Sequence, residues 1–477
     1  MDKKYKYLLK NIGLFSISNI GGRILTFFLL PLYTNILTTS EYGTYDFYVT
    51  TVSLLAPFLL VSIAEAVLRF SLDKNQDKTD TFTVGFQNLF RGSIIFAALI
   101  IINYVFKLVP ILNEYPLYLF LYFVSKSLYG MLTSCARGLD KVADHAFSGL
   151  INTFSTIILN ILFLLVFKLG IDGYFLAFII AYFISALYLI IRLKMHRHLR
   201  IRVHDKTLRK QMEKYSRSLI LNSVAWWINN VSDRYVIIWL CGTSANGIYS
   251  IAYKIPSIIN AFEAIFEQAW TLSAIKEYEN DSKDFYSDMY KLYNFGMLMA
   301  CSALIILDKP LAKFLYAKDF YEAWKYVPFL IISILFGSLG GFIGGIFAAA
   351  KKSAIFASTT LIGAAVNIVL NIILVKLMGP MGAAISTMIS YCVVWVCRMI
   401  KSRQFVKLEI NLKRDIIAYI ILLLQSVILV TLNNLILLYS IEGICIITLL
   451  ILYINEFKIY LAKFKNTLLR IKDGSKK

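Results

Sequence analysis

Apolar runs of about twenty residues, separated by short basic loops, recur along nearly the whole of this 477-residue chain. A run of that length is what an α-helix needs to cross the roughly 30 Å hydrocarbon layer of a bilayer. Composition closes off the soluble alternative. Apolar residues make up 58% of the chain and charged residues 16%, against about a quarter charged in a soluble domain. Mean hydropathy is +0.67. A chain this apolar cannot cover its surface for water, so lipid must solvate much of it.

Fourteen segments meet the length requirement. They centre near Leu25, Leu59, Ala97, Val124, Leu159, Phe183, Ile228, Ile259, Met299, Leu335, Ile368, Tyr391, Leu423 and Thr448. The expected fold class is therefore an all-α, polytopic membrane protein of about fourteen transmembrane helices. Basic loops stay cytoplasmic, and placing Met1 inside puts most of the 49 Lys and Arg on that side. The stretch from Arg192 to Arg217 decides the orientation, with ten basic residues against Asp205 and Glu213. The outer loop carrying Lys309, Lys313, Lys318 and Lys325 is offset by Asp308, Asp319 and Glu322. Both termini are thus expected in the cytoplasm. The basic start, Met1 to Lys10, reads as the lead-in to an uncleaved first helix, because Asn11, Asn19 and Arg23 interrupt the apolar stretch and no small-residue cleavage site follows.

The net charge of +20 lies in these loops rather than in one patch, which argues against a nucleic-acid partner. Six scattered cysteines form no CxxC pair, and His196, His198 and His204 fall together in the basic loop without acidic or thiol partners at ligand spacing. No metal and no cofactor is expected. The chain has no GxxxxGK[ST], HExxH or GxSxG, and no loop approaches domain size. Transport without ATP hydrolysis of its own is what the motifs leave, and no enzyme activity is expected.

The chain repeats itself. Thr39-Ser40-x-x-Gly43-x-Tyr45 returns 204 residues later as Thr243-Ser244-x-x-Gly247-x-Tyr249. Leu159-Asn160-Ile161 with Lys168, Gly170, Gly173 and Tyr182 returns as Leu370-Asn371-Ile372 with Lys376, Gly379, Gly382 and Tyr391. Ile63-Ala64-Glu65 is echoed by Ile265-Phe266-Glu267. Spans one to six and seven to twelve therefore read as two parallel copies of a six-helix lobe, with two extra C-terminal helices outside the repeat. The division is 1–195 for the N-lobe, 196–214 for a basic cytoplasmic linker, 215–403 for the C-lobe, and 404–477 for spans thirteen and fourteen with a basic tail.

Charges inside a bilayer must face a partner or a wet cavity. Several spans align theirs at helical spacing: Ser16, Asn19 and Arg23 in span one; Thr51, Ser62, Glu65 and Arg69 in span two; Tyr122, Lys126, Tyr129, Thr133, Arg137 and Asp140 in span four. Span seven aligns Asn222, Trp226, Asn229 and Asp233, and span eight Tyr249, Tyr253, Asn260, Glu263 and Glu267, with Lys254 and Ser257 beside them. A water-filled cleft accounts for them together. Arg23, Lys126 and Lys254 lack an acidic neighbour in sequence and are the expected ligand cations. Asn19, Tyr122, Asn222, Trp226, Asn229, Tyr249 and Tyr253 complete the expected substrate-binding set, the aromatic rings offering flat faces for contact. Glu65 with Arg69 and Asp233 with Arg234 are expected ion pairs, and Glu263 and Glu267 further coupling or pairing acids. Pro57 and Pro256 predict kinks at equivalent places. The tandem GxxxG of Gly337, Gly341 and Gly345 predicts close helix packing around span ten.

The motifs Leu9-Lys10-Asn11, Pro31-Leu32-Tyr33-Thr34, Glu41-Tyr42-Gly43-x-Tyr45-Asp46 and Glu65-Ala66-x-x-Arg69-Phe70 resemble those of the oligosaccharide repeat-unit flippases of the multidrug/oligosaccharidyl-lipid/polysaccharide exporter superfamily. The resemblance implies a bacterial cytoplasmic (inner) membrane protein in which two lobes flank a cleft. It also implies translocation of undecaprenyl-diphosphate-linked oligosaccharide for O-antigen, capsule or exopolysaccharide by alternating access. Polysaccharide polymerase and assembly proteins are the implied partners, beside the lipid bilayer. Basic side chains would hold the diphosphate-sugar headgroup, a role that Arg23 and Lys254 suit. The alternative within the superfamily is a cation-coupled multidrug antiporter, with Asp233 or Glu263 as the coupling carboxylate. A polymerase or ligase would carry a large outer loop, which this sequence lacks.

Overall fold

The computed structural model describes residues 27–73, 76–200, 203–278 and 283–458. Every regular element among them is helical. The helices are α1 (Leu30–Ile36), α2 (Thr39–Leu59), α3 (Ile63–Ser71), α4 (Lys78–Phe106), α5 (Pro116–Gly138), α6 (Val142–Asn160), α7 (Gly170–Arg192) and α8 (Lys206–Ala252). They continue with α9 (Ser257–Tyr278), α10 (Lys283–Leu315), α11 (Val327–Ala349), α12 (Ser353–Met378), α13 (Pro380–Ser402), α14 (Leu412–Thr431) and α15 (Leu435–Leu452).

Among the described residues ten helices are long and apolar enough to cross a membrane, or eleven when the bent pair α2–α3 counts as one span. This is a multi-pass membrane protein. The count among the described residues stays below the expected fourteen. The first expected span lies mostly outside the described residues. The helices α5 and α9, at 23 and 22 residues, are long enough but too polar to count, because they carry the stripes of Lys126 and Arg137 and of Glu263 and Glu267.

Local chemistry sets the breaks. Thr38 and Glu41 close a capping box on α2, the Thr38 hydroxyl accepting the Glu41 N–H while Glu41 accepts the Thr38 N–H at 2.7 Å. Beyond Pro57 the chain bends by 58° into α3, with Val61 and Ser62 in left-handed backbone. The partner kink falls at residues 253–256, where α8 gives way to α9 at Pro256. Within α8, Gly242 at φ +86° interrupts the helix just before the second repeat motif.

The described chain forms two compact units. The first runs to Ser250 and includes Leu315–Phe320; the second comprises Ile251–Phe314 and the chain from Tyr321. In the first unit, α3, α4, α5 and α7 close a core of Ile63, Val67, Phe82, Met131, Leu132 and Leu189. Thr34 holds the returning segment by donating to the Leu315 carbonyl and accepting the Ala317 N–H, both at 3.1 Å.

In the second unit α11 is buried on nearly all sides, as expected of a helix that is apolar all round. Polar bonds fix the C-terminal pair α14–α15 to α10. Ser302 donates to Gln425 (3.0 Å), which donates to Glu442 (2.7 Å). Tyr419 donates to Asn294, Asn294 to Tyr453, and Tyr453 to Asp415. Interhelical hydrogen bonds of this kind contribute about 0.6 kcal/mol each in a bilayer, so the network docks the pair by number rather than by strength.

The linker before α8 is capped by Asp205, which accepts the Thr207 hydroxyl and the backbone N–H of Thr207 (2.8 Å) and Leu208 (3.2 Å). These bonds, the Thr207 hydroxyl foremost, hold its carboxyl below the usual carboxylate range. A depressed carboxyl stabilises the cap above the unfolded value near 3.9 and stops doing so as pH falls through the folded value. Amide hydrogen exchange in the first turn of α8, corrected for intrinsic rate, should rise as pH drops from 7 to about 3. In Asp205→Asn that pH dependence should vanish.

Candidate functional site

The two copies of the repeat motif touch one another within the first unit. The start of α2 crosses the segment after Gly242. Thr39 shares a hydrogen bond with Ser244 (2.7 Å), and Ser40 shares one with Thr243 (2.8 Å). The exchange is reciprocal, since each motif offers its Thr to the other's Ser. The crossing point is Gly43 against Gly247. A Cβ on Gly43 would stand 1.9 Å from the Thr243 carbonyl oxygen, and one on Gly247 would stand 1.9 Å from that of Thr39. Only glycine permits backbones this close.

Polar side chains extend the contact. Arg234 pairs with Asp46 at 2.8 Å, both largely withdrawn from solvent. Asn246 donates to the Gly43 carbonyl (3.1 Å) and to Asp46 (3.4 Å). Tyr249 donates to Asp233 at 2.5 Å. Thr51 and Tyr235 share a bond of 2.6 Å, and the Trp227 indole donates to the Thr50 carbonyl. The side chains of Asp233 and Arg234, adjacent in sequence, thus reach Tyr249 and Asp46, and Asp233 also accepts the Arg234 N–H at 2.9 Å. Asp46 belonged to a recognised motif but was not expected to be a site residue. The signal was there: position 46 is acidic while its repeat equivalent is Ser250.

Other expected residues fall elsewhere. Lys126 lies half-buried over the Tyr122 ring, 5.4 Å from its centroid, with no ion pair among the described residues. Glu65 and Arg69 are both exposed on α3, and no ion pair joins them. Asn19 and Arg23 lie outside the described residues, as do the side chains of Asn222, Trp226 and Asn229.

In the second unit Tyr253 and Lys254 occupy the break before α9 and are half-buried; the Lys254 ammonium makes no ion pair among the described residues. Glu263 lines a cavity of about 360 Å³ with Phe262, Phe266, Tyr293 and Met297, where Phe266 stacks on Tyr293 at 4.0 Å. Glu267, one turn on, is exposed. The glycines of α11 serve this region differently from the expectation. The atoms nearest to them are side chains rather than another helix backbone: Arg398 beside Gly340, Glu263 and Glu267 beside Gly341, Phe356 beside Gly344 and Trp270 beside Gly345. The stripe makes room for large and charged groups.

Arg398, near the end of α13, is 5% exposed, donating to Thr359 (3.1 Å) and Thr360 (2.9 Å) and lying 3.8 Å over the Phe356 ring. No carboxylate stands within ion-pair distance of it among the described residues. A buried guanidinium held only by hydroxyls and a ring keeps charge to offer an anion. Spacing could not reveal it, because Lys401 and Arg403 follow within five residues.

Solved structures share the fold. The fold is similar to that of the lipid II flippase MurJ in an inward closed conformation, with a TM-score of 0.70 and 18% identity over 94% of this chain and 99% of that one. It is also similar to an inward-facing multidrug resistance MATE family transporter of the MOP superfamily, with a TM-score of 0.66 and 14% identity over 82% of this chain and 98% of that one. A MOP superfamily transporter from Pyrococcus furiosus aligns with a TM-score of 0.56 and 14% identity, over 83% of this chain and 96% of that one. No curated protein sequence matches. The polysaccharide biosynthesis protein family matches residues 8–271, more than half of the chain. The chain therefore belongs to the polysaccharide biosynthesis protein family and has the fold of the MOP superfamily exporters.

Proposed function

We propose that this protein translocates polyprenyl-diphosphate-linked oligosaccharide repeat units across the bacterial cytoplasmic membrane by alternating access of two lobes, 1–195 and 215–403. The linker 196–214 joins them, and 404–477 stands outside the repeat. The observation that carries this reading is the set of membrane-embedded cations that have no carboxylate at ion-pair distance among the described residues, namely Lys126, Lys254 and Arg398. A diphosphate needs such charges, because it cannot enter hydrocarbon uncompensated. In the proposed orientation the Gly43–Gly247 contact lies toward the outer face and closes the pathway there. Glu263 in its cavity favours a second reading, a cation-coupled multidrug antiporter.

Complementation of a gene deletion tests the proposal. Arg398→Ala, Lys254→Ala and Arg23→Ala should each lower surface polysaccharide about tenfold or more, the effect of losing about 1.4 kcal/mol of headgroup binding. The variant proteins should still reach the membrane, and single lipid-linked units should accumulate inside. Normal polysaccharide from all three would remove the headgroup role. Vigorous pH-driven uptake of fluorescent cations into everted vesicles would favour the antiporter.

A further inference from the structure

The helix α4 carries Thr83, Gln87 and Arg91 at intervals of four, hence on one face. The segment leaving α7 lies against that face. The Arg200 N–H donates to Thr83 at 3.0 Å, and the Arg209 guanidinium donates to Gln87. Between these banks runs a groove of about 270 Å³, floored by Phe86, Phe90 and Leu199 and edged by Arg91 and Arg200.

The charges are not balanced. Arg200 is occupied by Asp77 (2.9 Å) and Asp80 (3.4 Å), and Asp80 also accepts the N–H groups of His204 and Asp205. Arg91 is exposed and has neither ion pair nor hydrogen bond among the described residues, and the Nε of Arg209 is buried without a partner. The Arg91 guanidinium therefore edges the groove uncompensated, and that of Arg209, bonded to the lining residue Gln87, keeps an unsatisfied Nε.

Depth is the second constraint. α4 spans 29 residues, about 44 Å, and overshoots a 30 Å layer. Counted back from Phe106, about twenty residues exhaust the hydrocarbon near position 87, so Arg91 sits one turn inside it. Helical side chains tilt toward the N-terminus, which returns its guanidinium to the headgroup level. Phe90 beside Arg91, and Ile94 and Ile95 one turn deeper, are 68%, 55% and 51% exposed, an apolar track continuous with the groove.

We propose that this groove binds an anionic membrane phospholipid. Arg91 takes the phosphate oxygens, Arg209 adds its charge through the lining residue Gln87, and the acyl chains lie along Phe90, Ile94 and Ile95. Because the other bank is the basic linker, a bound lipid ties that linker to α4. The inference rests on the membrane-spanning fold and not on the identity of the cargo.

The full-length protein, purified and exposed to phosphatidylglycerol or phosphatidylcholine, can be examined by native mass spectrometry. Wild type should retain phosphatidylglycerol preferentially. Each basic residue near an anionic headgroup is worth about a fivefold factor, so Arg91→Gln should cut retention about fivefold. Arg91→Lys should keep most of it, and Lys107→Gln at the far end of the helix should change nothing. Millimolar inorganic phosphate should fail to displace the lipid. Equal retention of the two lipids, or undiminished retention by both Arg91→Gln and Arg209→Gln, overturns the proposal. Displacement by inorganic phosphate overturns it also, in favour of a small-anion site.

Discussion

Gly43→Leu should abolish surface polysaccharide while leaving the protein in the membrane. Even the first added carbon would lie 1.9 Å from the Thr243 carbonyl oxygen and 2.8 Å from the Gly247 nitrogen. Both are backbone atoms, so no side chain can turn aside. Overpacking ordinarily costs about 1–3 kcal/mol, and a backbone collision belongs at the top of that range. About 3 kcal/mol disfavours the contact by roughly 150-fold. In the proposed cycle only one conformation contains this contact, so the substitution should strand the transporter away from it. Cysteines at Ser40 and Thr243 read this out directly, in a Cys241→Ser background because Cys241 is exposed nearby. Oxidation should cross-link the pair and halt export, and reductant should restore it. Adding Gly43→Leu should lower the cross-linked fraction by about tenfold or more. Undiminished export from Gly43→Leu would show that the contact is not part of the working cycle.

The second large effect is expected at Asp46 and Arg234. Their 2.8 Å pair is mostly withdrawn from water, at 18% and 13% side-chain exposure. Removing one partner of such a pair leaves a charge stranded, at a cost of about 3–5 kcal/mol. Asp46→Ala and Arg234→Ala should each lower the thermal midpoint in detergent substantially. The double variant should be less destabilised than the sum of the two, with a coupling of at least about 1 kcal/mol. Strict additivity would mean that the two groups do not act as a pair.

Much of this fold is legible in the amino-acid order. Apolar run lengths and loop charges are dictated by the bilayer itself, and the repeat is visible as recurring letters. What the recurrence of Thr39–Tyr45 at Thr243–Tyr249 cannot say is that the copies touch. Equal spacing implies equal local structure, and proximity is a tertiary fact. The polar stripes fail for a different reason. Thr51, Glu65 and Arg69 align only on an unbroken helix, but the 58° bend beyond Pro57 resets the register. Thr51 is therefore buried on Tyr235 while Glu65 and Arg69 are exposed. Across the break at Pro256 the same holds for Tyr249, buried on Asp233, and Glu267, exposed. A proline within a stripe should have divided it. Arg398 was hidden by its neighbours, since charge counts in loops cannot tell an arginine that snorkels out from one that turns inward.

The Thr39–Gly43 and Thr243–Gly247 contact has a consequence for ancestry. Reciprocal bonds between identical motifs are what two copies of one chain make across a two-fold axis. Such a joint needs a single sequence to fit itself, so it suits a homodimer of unfused half-length proteins as well as the fused chain. Fusion then frees each half to diverge away from the axis. Asp46 facing Arg234, where the other copy has Ser250 and Leu30, marks such divergence, and the glycine crossing is the part neither half can alter alone.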